Sequence, residues 1–145
     1  MLPSYVKTRT GEFAIRGSSE HTPQGFVLAI QILSLEAAEK HLANIDFVLG
    51  TQTDPRLKPA SVDVALVLEA YHHFNYPGPM LRHIGEGLKP GGKLYIIDFH
   101  RSIGDRHIRL DEDGVIREVE ANGYRLVSKQ EHSSDNQYIA VFEKR

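Results

Sequence analysis

Residues 88–99 read LKPGGKLYIIDF, and the fold turns on how this stretch is parsed. Pro90 lacks an N–H and cannot sit inside a helix, while Gly91-Gly92 supply the backbone freedom of a tight turn. After the turn, KLYIIDF (93–99) is an apolar run of strand length, typical of a sheet interior. Before it the pattern is helical. From Pro79 to Leu88, the residues Met80, Ile84 and Leu88 recur every fourth position on one face. The stretch is the junction of a helix with a buried strand.

Upstream, VDVALVLEA (62–70) is nearly all apolar after Asp63, as a strand buried on both faces should be. A loop punctuated by Pro55 and Pro59 separates it from another strand, IDFVLG (45–50). FVLAI (26–30) is a further strand, and Ser34 caps a helix carrying Leu35, Ala38 and Leu42. Downstream, Asp111 to Asn122 reads as a helix with Val115, Ile116 and Val119 inward and Gly123 as its terminator. YRLVSKQE and QYIAVFEK then alternate across HSSDN as an antiparallel pair. Strand and helix alternate first and a hairpin comes last. The expected fold is therefore α/β: an open twisted sheet, mostly parallel with an antiparallel C-terminal strand pair, and helices on both faces. Residues 1–145 are expected to form a single domain.

The chain has no cysteine, which removes disulfides, thiolate metal sites and cysteine nucleophiles. A formal net charge of -2 offers no general attraction to nucleic acid or to an anionic membrane. No apolar run nears the roughly 18 residues of a membrane span, and no signal-peptide pattern opens the sequence. The expectation is a cytoplasmic protein without nucleic-acid or membrane partners, with a homodimer through the edge of the final strands as one option.

In open sheets of this kind, ligands bind beyond the carboxyl ends of the strands. The positions to inspect are Gln31-Ile32, Gly50 to Gln52, Glu69 to His73 and Asp98 to Arg101. His72 and His73 come directly after a buried strand there, and an ordinary imidazole pKa near 6.5 suits a group that moves a proton. Eight histidines raise a metal reading in which His72, His73, His100 and His107 converge with Asp98. No pair has the i, i+4 helical spacing of a strong metal motif, and no metal is predicted. DRHIRLDED (105–113) reads as a solvated loop entering a helix.

The segment PASVDVALVLEAYHHFNYPGPMLRHIGEGLKPGGKLYIIDF (59–99) resembles the class I S-adenosylmethionine-dependent methyltransferases: their fourth strand, the helix after it, and the LKPGG-x-L turn into the fifth strand. VIREVEANGYRLV and DNQYIAVFEK are similar to the last helix and strand pair of that family. The resemblance implies a Rossmann-like fold, S-adenosylmethionine as cofactor, and methyl transfer to a small-molecule acceptor. It further implies that Gly11, Gln31, Ile32, Thr51, Gln52, Glu69 and Ala70 line the cofactor. Tyr71, His72 and His100 would face the acceptor, and His73 would orient or deprotonate it.

The N-terminal part departs from the pattern. The family's first strand ends in an acidic residue and a glycine loop, and a second acidic residue about 20 positions on binds the ribose. Gly11 lies 20 positions before Gln31. With Gly11 as the last glycine, Lys7 and Arg9 stand at the earlier glycine positions, Tyr5 at the acidic one, and Gln31 at the ribose. Bulky side chains replace residues valued for leaving room. A neutral hydrogen bond from Gln31 contributes about 0.5–1.5 kcal/mol, against about 1.5–3 for a charged one. The N-terminal helices that often cover the cofactor also lack a counterpart ahead of Tyr5. Residues 5–11 are thus a terminus without a role, a retooled anion loop, or an altered cofactor loop. An active methyltransferase therefore has three rivals: a non-catalytic relative that keeps the fold for binding or assembly and no longer uses the cofactor, a chain completed by a partner, and a metal-dependent enzyme centred on the histidines.

Overall fold

The computed structural model describes residues 4–8, 12–16, 38–41, 45–132 and 136–145. Their strands are β1 (Ser4–Thr8), β2 (Glu12–Arg16), β3 (Ile45–Leu49), β4 (Val62–Leu68), β5 (Leu88–Phe99), β6 (Tyr124–His132) and β7 (Gln137–Lys144). The helices are α1 (Pro77–Gly87) and α2 (Glu112–Ala121), with a single 3-10 turn over Tyr71–His73. The sheet runs β3-β1-β2-β4-β5-β7-β6. β2, β4 and β5 are parallel neighbours, and β7 and β6 close one side as the antiparallel pair expected from the sequence.

The open α/β sheet stands, but the balance within it differs from expectation. Among the described residues two of the six strand pairings are parallel, and β1 is antiparallel to both β2 and β3. Ser4–Thr8 is therefore a strand inside the sheet, with Tyr5 opposite Ile15 and Val48 and Lys7 opposite Phe13 and Asp46. Tyr5 and Lys7 do not belong to a glycine loop. The alternating, β-branched wording of SYVKT favours an extended backbone, and two neighbouring strands complete its ladder. The expected strand at 26–30, the Ser34 cap, Arg9, Gly11, Gln31 and Ile32 lie outside the described residues.

Period-two patterning builds the centre. Ala65 and Val67 of β4, Leu94 and Ile96 of β5, and Ala140 and Phe142 of β7 lie in register on one face, all fully buried. Met80, Leu81 and Ile84 of α1 and Val115 and Val119 of α2 complete the same core. The opposite face of β4 is only half-buried, so that strand is not enclosed equally on both sides as its composition implied. α2 begins at Asp111, whose carboxylate accepts the Gly114 N–H at 2.8 Å, and ends before Gly123 at φ +93°.

The KPGG turn becomes an irregularity inside β5. Val62 pairs with Leu88 but Val64 with Lys93, so residues 89–92 are looped out of the ladder. Gly91 has φ +77°, and a Cβ on Gly92 would lie 2.9 Å from the Lys89 carbonyl oxygen. Both glycines are demanded by backbone geometry. Lys89 reaches back across the loop to Asp63 at 2.8 Å.

Candidate active site

The parallel strands deliver their carboxyl ends to one edge, and β4 and β5 together carry most of the chemistry there. β4 ends in Glu69, held at φ +50°, a left-handed conformation that costs a side-chain-bearing residue energy. Two contacts hold it: its N–H donates to the Ile97 carbonyl at 2.8 Å, and its carboxylate accepts the Gln137 amide at 2.7 Å. Ala70 is buried, and its carbonyl closes the 3-10 turn by accepting the His73 N–H at 3.0 Å.

That turn sends its three residues in different directions. Tyr71 is fully buried in the core, and its hydroxyl donates to Glu118 of α2 at 2.8 Å. Burial and the Glu118 carboxylate push its pKa far above the usual phenol range. Tyr71 therefore does not face an acceptor, which corrects the expectation drawn from the sequence. His72 is clamped by Asp98, the last buried polar group of β5: the carboxylate accepts the His72 N–H at 2.9 Å, its ring Nδ1 at 2.6 Å and the Phe99 N–H at 2.9 Å. Nδ1 is consumed as a donor, which leaves Nε2 as the available nitrogen of His72. His73 is half-buried with its ring 4.0 Å from that of His72, centre to centre. Burial, then the neighbouring His72 and His107, lower its pKa to about 4.

His107 reaches the same place from the loop after β5. Asp105 accepts the N–H groups of His107 at 2.8 Å and Ile108 at 3.3 Å, a side-chain turn that folds the loop back. Ile108 is buried as the loop's apolar anchor. Two residues after His107, Arg109 holds Glu118 through both terminal nitrogens, at 2.6 and 2.9 Å. The His107 ring then lies 5.0 Å from His72 and 4.9 Å from His73. The polar composition of this loop hides its role; the signal for it is Asp105 two positions before His107, with a lone isoleucine after.

His100 goes elsewhere. Its Nδ1 meets Glu112 at 3.1 Å and its Nε2 meets Glu131 at 2.7 Å, so both ring nitrogens are engaged by carboxylates away from the other three rings. This corrects its placement on the acceptor face. At the end of β3, the Thr51 hydroxyl accepts the Asp54 N–H at 3.0 Å and the Thr53 N–H at 3.3 Å, tying its own turn, while Gln52 is half-buried beside it. β3 is three strand spacings from β4, about 14 Å, so Thr51 and Gln52 sit on the same edge as Glu69 but across the sheet. A pocket of about 290 Å³ between α1 and the end of β7, lined by Leu81, Tyr124 and Lys144, lies at the opposite edge.

Residues 27–96 match the family model described as a methyltransferase domain. No curated protein matches the chain. Among solved structures, it is similar to an S-adenosylmethionine-dependent methyltransferase from Aquifex aeolicus, with 20% identity and a TM-score of 0.67 over 78% of this chain and 61% of that one. It is also similar to the mitomycin 7-O-methyltransferase, with 16% identity and a TM-score of 0.67 over 80% and 39%. The cyclase SpnF matches with 16% identity and a TM-score of 0.71 over 81% and 63%. The chain thus spans less than two thirds of the length of each of these structures. One of the three is named for a reaction other than methyl transfer, so a shared fold leaves the reaction to the site.

Proposed function

We propose that this chain is a member of the class I S-adenosylmethionine-dependent methyltransferase family, a reading its matched segment and its fold support, and that it methylates a small-molecule acceptor at the edge where β4 and β5 end. The observation that carries this reading is the joint placement of Glu69 and His73 there, one a carboxylate held by Gln137, the other a ring lone pair beside the clamped His72. S-adenosylmethionine, when bound, supplies an electrophilic methyl on a sulfonium cation. The described residues fit such a group: Glu69 offers a carboxylate, and the His73 ring, its pKa lowered to about 4, carries no charge at neutral pH. In this reading Glu69 and Ala70 line the cofactor, Thr51 and Gln52 meet it from the same edge three strands away, and Gly11, Gln31 and Ile32 join them.

His73 accepts a hydrogen bond from an acceptor hydroxyl and so directs the attacking lone pair. Holding two reactants at near-attack distance is the main source of rate in a displacement that needs no covalent intermediate. A ring with so low a pKa is a weak base, and orientation is its larger contribution. His72 acts through the Asp98 clamp, which fixes the turn that presents His73.

Calorimetric titration with S-adenosylmethionine and S-adenosylhomocysteine tests the reading. Saturable binding weakened in Glu69→Ala and in Gln31→Ala, with methyl transfer to a member of a small-hydroxyl panel reduced in His73→Ala, is expected. No heat at millimolar ligand overturns it. The same outcome favours the second reading, a non-catalytic relative that no longer uses the cofactor, which the strand formed by Ser4–Thr8 supports.

A further inference from the structure

We propose that His72, His73 and His107 form a binding site for one divalent transition-metal ion of the zinc type, with Asp98 as the outer carboxylate behind His72. The three residues come from two separate segments, the 3-10 turn after β4 and the loop after β5, and each offers a nitrogen within 4.8 Å of the other two. A tetrahedral ion with metal–nitrogen bonds of about 2.0–2.1 Å places its ligand nitrogens about 3.3 Å apart. Rotation of the exposed His107 and half-buried His73 side chains covers the difference.

The hydrogen bonding distinguishes this cluster from a chance meeting of rings. Metal-ligating histidines characteristically donate their second nitrogen to a carboxylate, which fixes tautomer and orientation. His72 does so, with Nδ1 on Asp98 at 2.6 Å and Nε2 left over. Among the described residues, the rings of His73 and His107 have no hydrogen-bond or ion-pair partner, so their lone pairs are open to an ion. The contrast within the molecule is the group His100, Glu112 and Glu131, which also brings three ligand-type atoms together. There the imidazole already uses both nitrogens on carboxylates and has none to give. Three protein ligands leave one position of a tetrahedral ion for a further ligand, as in catalytic zinc sites rather than closed structural ones. The inference does not depend on methyl transfer, and an ion held by His73 takes the lone pair that the acceptor hydroxyl would otherwise use, so the two occupants compete for that ring.

The test is metal uptake by the untagged full chain after chelation and dialysis, with zinc chloride monitored by elemental analysis and cobalt(II) chloride by its visible d–d bands. One equivalent per chain, with the band intensity of four-coordinate cobalt, is expected. His107→Ala, at an exposed position that leaves the core untouched, should weaken binding by more than the 10–100-fold that losing an outer carboxylate typically costs, and Asp98→Asn by about 10–100-fold. His100→Ala and His83→Ala should bind as the parent does. Uptake unchanged in His107→Ala, uptake abolished by His100→Ala, or no stoichiometric uptake by the parent overturns the proposal. None of these readouts involves S-adenosylmethionine, so failure here and failure of the methyltransferase reading are separate results.

Discussion

Asp98→Ala removes the acceptor for three donors at once, and its cost can be worked from the structure. The carboxylate is 1% exposed and holds the His72 N–H, the His72 ring and the Phe99 N–H at 2.9, 2.6 and 2.9 Å. Each buried donor left unpaired costs about 1–3 kcal/mol, and breaking a buried, charged contact by deleting one partner costs about 3–5 kcal/mol. Taking about 3 kcal/mol as the lower estimate, the melting temperature should fall by about 6–12 °C for a domain of this size. Asp98→Asn keeps the shape and one acceptor oxygen but points an NH₂ at a donor, and should lose an intermediate amount. Asp63→Ala is the control. Its pair with Lys89 has side chains 55% and 44% exposed, and such pairs contribute about 0–1 kcal/mol. Urea unfolding monitored by circular dichroism supplies the numbers. If Asp98→Ala unfolds within about 1 kcal/mol of the parent, or no differently from Asp63→Ala, then Asp98 is not the keystone of this edge.

Glu118 predicts an acid dependence. Burial opposes its ionisation, but the hydrogen bonds from Arg109 and Tyr71 prevail and hold its pKa below the usual carboxylate value. A depressed folded-state pKa stabilises the fold fully above the unfolded-state value, near 4.3, and that contribution disappears as pH falls through the folded-state pKa. Glu118→Gln should therefore be less stable than the parent at pH 7, and the two unfolding curves should converge in acid; a constant gap down to pH 3 refutes the assignment. Gly92→Ala should destabilise by about 1–3 kcal/mol, because its Cβ meets the Lys89 and Asp63 carbonyl oxygens at 2.9 and 3.1 Å, and a melting temperature equal to the parent's contradicts that.

The part of the fold readable from sequence is the part whose signals are local. The α1 face at Met80 and Ile84, the glycine-dependent turn, and the helix–hairpin ending all arise from periodicity and turn chemistry, and the structure has them; Leu88, expected on that face, opens β5 instead. The site is legible as a location and less so as a set of side chains. Tyr71 and His73 are two residues apart, yet one enters the core and the other the edge, because the direction of a 3-10 turn is set by what waits on each side. His100 turns away because Glu112 and Glu131, distant in sequence, reach it through α2 and β6. The 20-residue spacing from Gly11 to Gln31 suggests a glycine loop that reaches back to Tyr5, but the strand-forming residues of Ser4–Thr8 outweigh it there.

The two segments that carry the histidines share one support. Glu118 accepts the Tyr71 hydroxyl, which anchors the turn bearing His72 and His73, and also takes the guanidinium of Arg109, which anchors the loop bearing His107. A single carboxylate on α2 thus acts as a clasp for both halves of the cluster. Drift at position 118 would open the two halves together, so the relative placement of the three rings is inherited from a helix that contributes no ring of its own to the cluster.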